Sequence, residues 1–326
     1  MQGIIGKEMD QKFMRRAKSS PSADEKPVFA ALKERAKSGA MRRLGNIGGA
    51  EKDRLAHELG MIGKTDTAKL FLYWADAVSA IRQKTYPYIC GVQNCSLVSY
   101  CLGITEVNPV KTGSCFERLL NGQSARVPVL FVEIPKGRRG EIQVRPEANA
   151  FVCIEEKAAR TDLPAGAADA FFAEQTYGEK EIFRRAAASF GRVGQREPPE
   201  TLGEFTDWLV CKRCAEFTDE MPSLLYQEDA VGLFCKAGFS CEEAECARRA
   251  LVKKNKTETD FYRDLFCRAA EAAGRSVEEA DGIFSALKRE ILFTVCRASY
   301  TAMAQYLYME AYFKEKKVDK LCFLKN

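Results

Sequence analysis

The sequence predicts a helix-rich α+β protein, with a small sheet in the first half of the chain and an all-helical second half. Three observations carry that expectation. Helical periodicity begins near Val28 and recurs in segment after segment. One strongly apolar extended run, VPVLFVEIP, interrupts it and leads into the basic turn KGRR. Two Ser-x-x-Glu capping boxes, Ser240 to Glu243 and Ser276 to Glu279, then open helices where strand patterning has ceased.

Residues 1–25 are polar, include SSPSADE, and are expected to form a loose tail. Residues 26–150 read as an α+β domain. Its helices start with VFAALKERAKSGAMRRL, break at GNIGG, and resume through AEKDRLAHELGMI and AKLFLYWADAVSAIRQ. CSLVSYCLGI, apolar and rich in small residues, suits a buried helix. FERLL precedes the apolar strand, and EIQVRP at 141–146 is a candidate second strand. Residues 151–200 turn Ala-rich and helical, and REPPETL reads as a linker. Residues 201–326 are helical throughout, with Gly274 placed to stop a helix and a last helix that mixes small and aromatic residues.

Composition narrows the classes. A chain of 326 residues can bury a substantial core. No apolar run reaches the ~18 residues a membrane span needs, so no membrane partner is expected. The N-terminus lacks the apolar core of a signal peptide, and the expectation is a cytoplasmic protein. Thirteen cysteines is an odd number spread over a long chain, which argues for reduced, buried thiols over a secreted disulfide scaffold. The net charge of +5 is too mild to imply nucleic acid by itself. The basic residues do cluster, however, in KGRR, RRALVKKNK and KEKK.

Along the strand, Val129, Phe131 and Glu133 share one face, while Leu130, Val132 and Ile134 share the other. A strand that supports metal-dependent phosphoryl transfer places carboxylates at alternate positions, so that they hold divalent ions together. Here two of the three positions carry hydrocarbon, and the run reads as a strand buried on both faces.

CFERLLNGQSARVPVLFVEIPKGRRGEI resembles the palm of the C-family catalytic alpha subunit of bacterial DNA polymerase III. Phe116, Glu117, Arg118, Leu120, Asn121, Pro128, Arg138, Arg139 and Glu141 fall in register with that family's Phe-Glu-Arg-x-Leu-Asn, Pro-Asp-x-Asp-x-Asp and Arg-Arg-x-Glu pattern. Upstream, CSLVSYCLGITEVNP is similar to the family's palm helix and the turn that follows it. Ile89, Cys90, Gly91 and Val92 stand where the family has its Gly-Arg-Gly-Ser nucleotide cradle. Downstream, LLYQED and CARRALVKKNKTE resemble the helical fingers, and RASYTAM…AYFK resembles a finger helix bearing Lys-x-His, here Arg297 and Ser299.

The resemblance implies a truncated, degenerate, nucleotidyltransferase-type palm followed by a fingers-like region, without the family's preceding phosphoesterase domain. The two aspartates that would ligate the catalytic metals are replaced by Val129 and Phe131, which leaves Glu133 as the residual carboxylate of the motif. The expected protein is a pseudoenzyme of DNA-replication type. It would bind DNA weakly and salt-sensitively, or bind a replisome protein. Arg248, Arg249, Lys253, Lys254, Arg297, Arg138 and Arg139 would be its phosphate contacts. No cofactor is expected, and magnesium would matter only if polymerase activity persisted. One alternative is a minimal template-directed polymerase whose metal site is rebuilt from Glu133 with Glu141 or Asp76. Another is an interaction protein that uses the Val129/Phe131 face. The CxxC pair Cys211 and Cys214 is a zinc candidate, set against ordinary helix-core cysteines because a second pair at zinc spacing is missing. The one histidine, His57, has no nucleophile partner in the pattern and reads as structural.

Overall fold

The periodic segments form helices where the spacing places them. The computed structural model describes residues 25–122, 127–144, 151–163, 166, 168, 171–172, 177–218 and 220–316. Helices α1 (Glu25–Leu44), α2 (Gly49–Lys64) and α3 (Ala68–Arg82) come first. Gly45 ends α1 at φ +63°, a left-handed conformation that glycine adopts without steric cost. Strand β1 (Tyr88–Cys90) and the short helix α4 (Leu97–Cys101) follow, joined by a 3₁₀ turn over Gly91–Cys95. Strands β2 (Leu130–Pro135) and β3 (Val152–Lys157) complete the sheet. Helices α5 (Lys180–Ala188), α6 (Leu202–Cys214), α7 (Gln227–Lys236), α8 (Cys241–Lys253), α9 (Lys256–Ala272), α10 (Val277–Glu290) and α11 (Arg297–Glu315) fill the remainder. Both capping boxes close reciprocally, at Ser240/Glu243 and Ser276/Glu279. Gly274, at φ +85°, lies just beyond α9.

The three-stranded sheet has order β1-β2-β3. β1 runs antiparallel to β2, with Tyr88 opposite Glu133 and Cys90 opposite Phe131. β3 runs parallel to β2, with Cys153 opposite Phe131 and Glu155 opposite Glu133. The candidate strand at 141–146 is not one. Glu141 closes a 3₁₀ turn (Arg139–Glu141), Ile142–Val144 pair with no strand, and residues 145–146 lie outside the described set. The sheet instead takes its third strand from Val152–Lys157, past the boundary at 150 where the α+β unit was expected to end.

The expectation of a strand buried on both faces is also corrected. Leu130, Val132 and Ile134 are essentially inaccessible, but Phe131 is 49% exposed and Val129 and Glu133 are half-buried. Alternation decides this: one face packs on the helices and the other does not. The packed face joins Phe71, Trp74, Val78 and Ile81 of α3, Leu32 and Ala36 of α1, and Leu97 and Val98 of α4 in one core. Each such side chain contributes roughly 1.5–3 kcal/mol on burial. Trp74 Nε1 donates to the Phe151 carbonyl at 2.9 Å, tying α3 to the start of β3. α1 and α4 cross closely at Gly39, where a Cβ would stand 1.8 Å from the Cys101 carbonyl oxygen.

A second core combines Tyr86, Tyr88, Cys95 and Val107 with α5, α6 and α11. It draws on residues from both sides of the boundaries expected at 150 and 200. A third gathers α7, α8, α9 and α10 around Phe234, Phe266 and Phe284. Among the described residues, no helix is long and apolar enough to cross a membrane.

Candidate functional site

β2 is the element on which the sequence concentrates attention, and its outer face is built by cross-strand pairs. Phe131 stands between Cys90 and Cys153, and Glu133 between Tyr88 and Glu155. Arg160 captures Glu133: its Nε and Nη2 donate to Oε2 at 2.7 and 2.5 Å. The guanidinium also lies over the neighbouring rings of Tyr88 at 4.5 Å and Tyr306 at 5.1 Å, which hold it in place. Glu155 pairs with Lys157 at 2.8 Å. Burial, reinforced by Glu133, pushes the Cys90 thiol up to about 12, so it stays protonated at neutral pH. Glu141 accepts two bonds from Arg138 Nη1 at 2.9 Å, and Asp76 accepts one from Arg35 at 2.9 Å. The carboxylates considered for a rebuilt metal site are thus each held by a different cation.

The turn ahead of α4, which stands where the resemblance puts a nucleotide cradle, is held from several directions. Gln93 Nε2 donates to the Val129 carbonyl. Asn94 Nδ2 donates to the Ile89 and Gly91 carbonyls, both at 3.0 Å. Buried Glu58 of α2 accepts from Ser96 Oγ and from the amides of Leu97 and Val98, so it caps α4 from outside. Ser299 of α11 donates to the Gly91 carbonyl at 2.7 Å, bringing the Arg297–Ser299 motif against this turn.

The seven basic residues fare differently. Arg248 is buried and forks onto Glu245, Nε to Oε2 and Nη2 to Oε1, both at 2.7 Å. Arg249 Nε reaches the same carboxylate at 2.8 Å, while its Nη2 donates to the carbonyls of Glu117 and Arg118. These two arginines fasten α8 to the Phe116–Arg118 turn. Lys253 and Lys254, at the end of the same helix, are exposed. Arg297 lies over Tyr226 at 4.2 Å and pairs with Asp229 at 2.8 Å. Arg138 bonds Asp162 as well as Glu141. Arg139 is exposed, with Nη1 on the Ile142 carbonyl at 3.3 Å. The structure therefore does not gather the seven into one free patch.

Cys211 and Cys214 are both inaccessible but serve different cores, the first with Phe205 and Trp208, the second with Val210, Tyr226 and Val295. Among the described residues, the donor cluster that does form is one the sequence does not flag. Cys95, Glu228 and Cys296 meet in the interior, their donor atoms all within 4.8 Å of one another. Cys95 Sγ and Cys296 Sγ are 3.4 Å apart, and Cys296 Sγ is 3.5 Å from Glu228 Oε1. A thiol hydrogen bond from Cys95, with Arg118 nearby, holds Cys296 well below the usual thiol range and correspondingly raises Cys95. Burial pushes the Glu228 carboxyl up to about 7, helped by Cys296 and opposed by Arg118. His57, read as structural, hydrogen-bonds Glu117 at 2.7 Å. The one signal for the Cys–Glu cluster was the tally of thirteen cysteines, because contacts between positions 95, 228 and 296 leave no local pattern.

These elements define a helix-covered, three-stranded α+β unit. The family described as Bacterial DNA polymerase III alpha NTPase domain matches residues 30–146. The chain is 32% identical over 126 residues to DNA polymerase III subunit alpha of Aquifex aeolicus (strain VF5), a match covering 36% of this chain and 11% of that protein. It is 33% identical over 93 residues to DNA polymerase III subunit alpha of Mycobacterium tuberculosis (strain ATCC 25618 / H37Rv), covering 28% of this chain and 8% of that one. Error-prone DNA polymerase of Symbiobacterium thermophilum is 33% identical over 105 residues, covering 32% and 10%. This chain is therefore polymerase-III-alpha-like over residues 30–146, little more than a third of its length, and spans about a tenth of the length of the curated relatives it matches.

Proposed function

We propose that the protein is a non-catalytic, polymerase-III-alpha-like component of DNA replication, with a palm-like unit built on residues 26–150 and completed by the strand Val152–Lys157, and a fingers-like unit over 201–326, and that it binds DNA. The observation that carries this reading is the state of β2. Val129 and Phe131 offer no oxygen ligand, and Glu133 is already neutralised by Arg160. Two-metal transfer needs several oxygen ligands around two ions ~3.5–4 Å apart, and prising Glu133 from Arg160 would leave a half-buried cation unpaired. The contact of Ser299 with Gly91 supports the fingers-like reading, because it sets the helix that resembles a finger helix against the turn that stands where the resemblance puts the nucleotide cradle.

DNA contact falls to the exposed cations, Lys253, Lys254 and Arg139, while Arg248 and Arg249 act as internal fasteners. Primer extension with magnesium or manganese tests the catalytic half of the proposal. No product is expected, and extension that disappears in Glu133→Ala would refute it. Fluorescence anisotropy on primed DNA tests the other half. Lys253→Glu/Lys254→Glu should weaken binding and flatten the log–log salt slope by about 0.9 for each phosphate the protein no longer neutralises. Unchanged affinity would refute that assignment.

A second reading rests on Phe131, whose ring is nearly half exposed at the centre of the sheet. An exposed aromatic on a rigid strand suits a protein partner. Recovery of replisome proteins that disappears in Phe131→Ser, with no binding of DNA, would favour it.

A further inference from the structure

We propose that Cys95, Cys296 and Glu228 form a zinc site that pins the 3₁₀ turn before α4 to the first turns of α7 and α11. Three separate parts of the chain supply the donors. Cys95 ends the Gly91–Cys95 turn, Glu228 lies in the first turn of α7, and Cys296 is the N-cap of α11. Thiolates at ~2.3 Å and a carboxylate at ~2.0–2.2 Å around a tetrahedral zinc ion fix S···S near 3.8 Å and S···O near 3.5 Å. The distances here are 3.4 Å between the sulfurs and 3.5 Å from Cys296 Sγ to Glu228 Oε1, so an ion fits with small side-chain shifts. Neighbouring groups orient the donors: Ser114 Oγ donates to Glu228 Oε1 at 3.0 Å, and the Arg297 amide donates to Oε2 at 3.0 Å.

The charge around the cluster is compatible with a bound ion. Arg118 is buried against the cluster, and its Nε and Nη1 have no hydrogen-bond acceptor. Its other acidic neighbour, Glu245 at 3.8 Å, is already shared by Arg248 and Arg249. Once both thiols have given up their protons to the metal, two thiolates and a carboxylate carry three negative charges, which one divalent ion and the Arg118 guanidinium balance in full. Two sulfur donors favour zinc over the oxygen-seeking magnesium and calcium.

The full chain, expressed in zinc-supplemented medium and passed through gel filtration, should carry one equivalent of zinc by elemental analysis. Cys95→Ser and Cys296→Ser should each lose it, and Glu228→Gln should hold it at least tenfold more weakly against a chelator. Cys211→Ser/Cys214→Ser and Cys235→Ser/Cys241→Ser should retain it. Should a variant fail to fold, cobalt(II) in the wild-type chain gives an answer that needs no substitution. Thiolate-to-cobalt charge-transfer bands together with intense visible bands of a tetrahedral ion are expected. A metal-free wild-type chain after zinc reconstitution, octahedral cobalt without thiolate bands, or zinc that survives Cys95→Ser and Cys296→Ser would each overturn the proposal. So would a Cys95–Cys296 disulfide found by mass spectrometry in the freshly purified, zinc-replete protein.

Discussion

Glu245 offers the sharpest test of how this fold distributes its charge. The carboxylate is almost wholly inaccessible and takes two bonds from Arg248 and one from Arg249, with Arg118 Nη1 at 3.8 Å. Burial pushes its pKa up, but the surrounding guanidinium groups outweigh burial and hold it below the usual carboxylate range. Glu245→Gln keeps the shape and removes the charge, which leaves buried cations without a counter-ion. Charge-assisted bonds contribute ~1.5–3 kcal/mol each, but part of that offsets the cost of desolvating Glu245. Breaking a buried pair from one side costs about 3–5 kcal/mol, and that is the expected loss here. In urea titration followed by circular dichroism, the unfolding midpoint should fall with little change in slope. Thermal melting should drop by roughly 4–8 °C. A loss below about 1 kcal/mol, the range of exposed ion pairs, would refute the view that Arg248 and Arg249 are internal fasteners. It would return both arginines to the pool of DNA contacts.

The one-sided burial of β2 predicts that Leu130→Ala costs about 2–5 kcal/mol while Phe131→Ala costs under ~2 kcal/mol, both read by thermal melting. Arg160→Ala leaves Glu133 without its partner and removes the stack on Tyr88 and Tyr306, and a loss of about 2–3 kcal/mol is expected in urea titration. Gly39→Ala, which drives a methyl into the Cys101 carbonyl, should be among the most disruptive changes, and its circular dichroism melt should shift further than that of Gly60→Ala on the neighbouring helix. Ser240→Ala removes a closed capping box and should cost about 1 kcal/mol, read as a small fall in the urea midpoint.

Local pattern made much of this legible. The helix starts at Ser240 and Ser276, the break at Gly45 and the strand at β2 all follow from spacing and backbone chemistry within a few residues. The state of Arg248 and Arg249 was legible too, since Glu245 stands three and four positions earlier on the same helix face. Reading the run as a basic cluster missed that pairing. Long-range partners were not legible. Nothing near Glu133 announces Arg160, which is 27 residues away, and nothing near Cys95 announces Cys296, which is 201 residues away. The third strand was misplaced because EIQVRP alternates well, but its first residue, Glu141, closes a turn held by Glu156, whose Oε1 accepts the amides of Gly137 and Arg139. The half-exposed Phe131 was misjudged because hydrocarbon on both faces of a strand resembles a central strand, whatever actually covers it.

The packing of α11 over β1 and the turn that follows it also constrains how the chain is made. Tyr86 and Tyr88 emerge from the ribosome early, yet Tyr306, the aromatic side chain that packs on both, belongs to a helix that ends at Glu315. At ~5–20 residues per second, the apolar surface beside β1 waits roughly 10–40 s for its cover. During that interval the nascent protein presents a strand edge and adhesive aromatic rings, the situation that recruits chaperones. The closing helix therefore acts as a timer on folding, and a pause in translation before it should raise aggregation more than a pause placed after it.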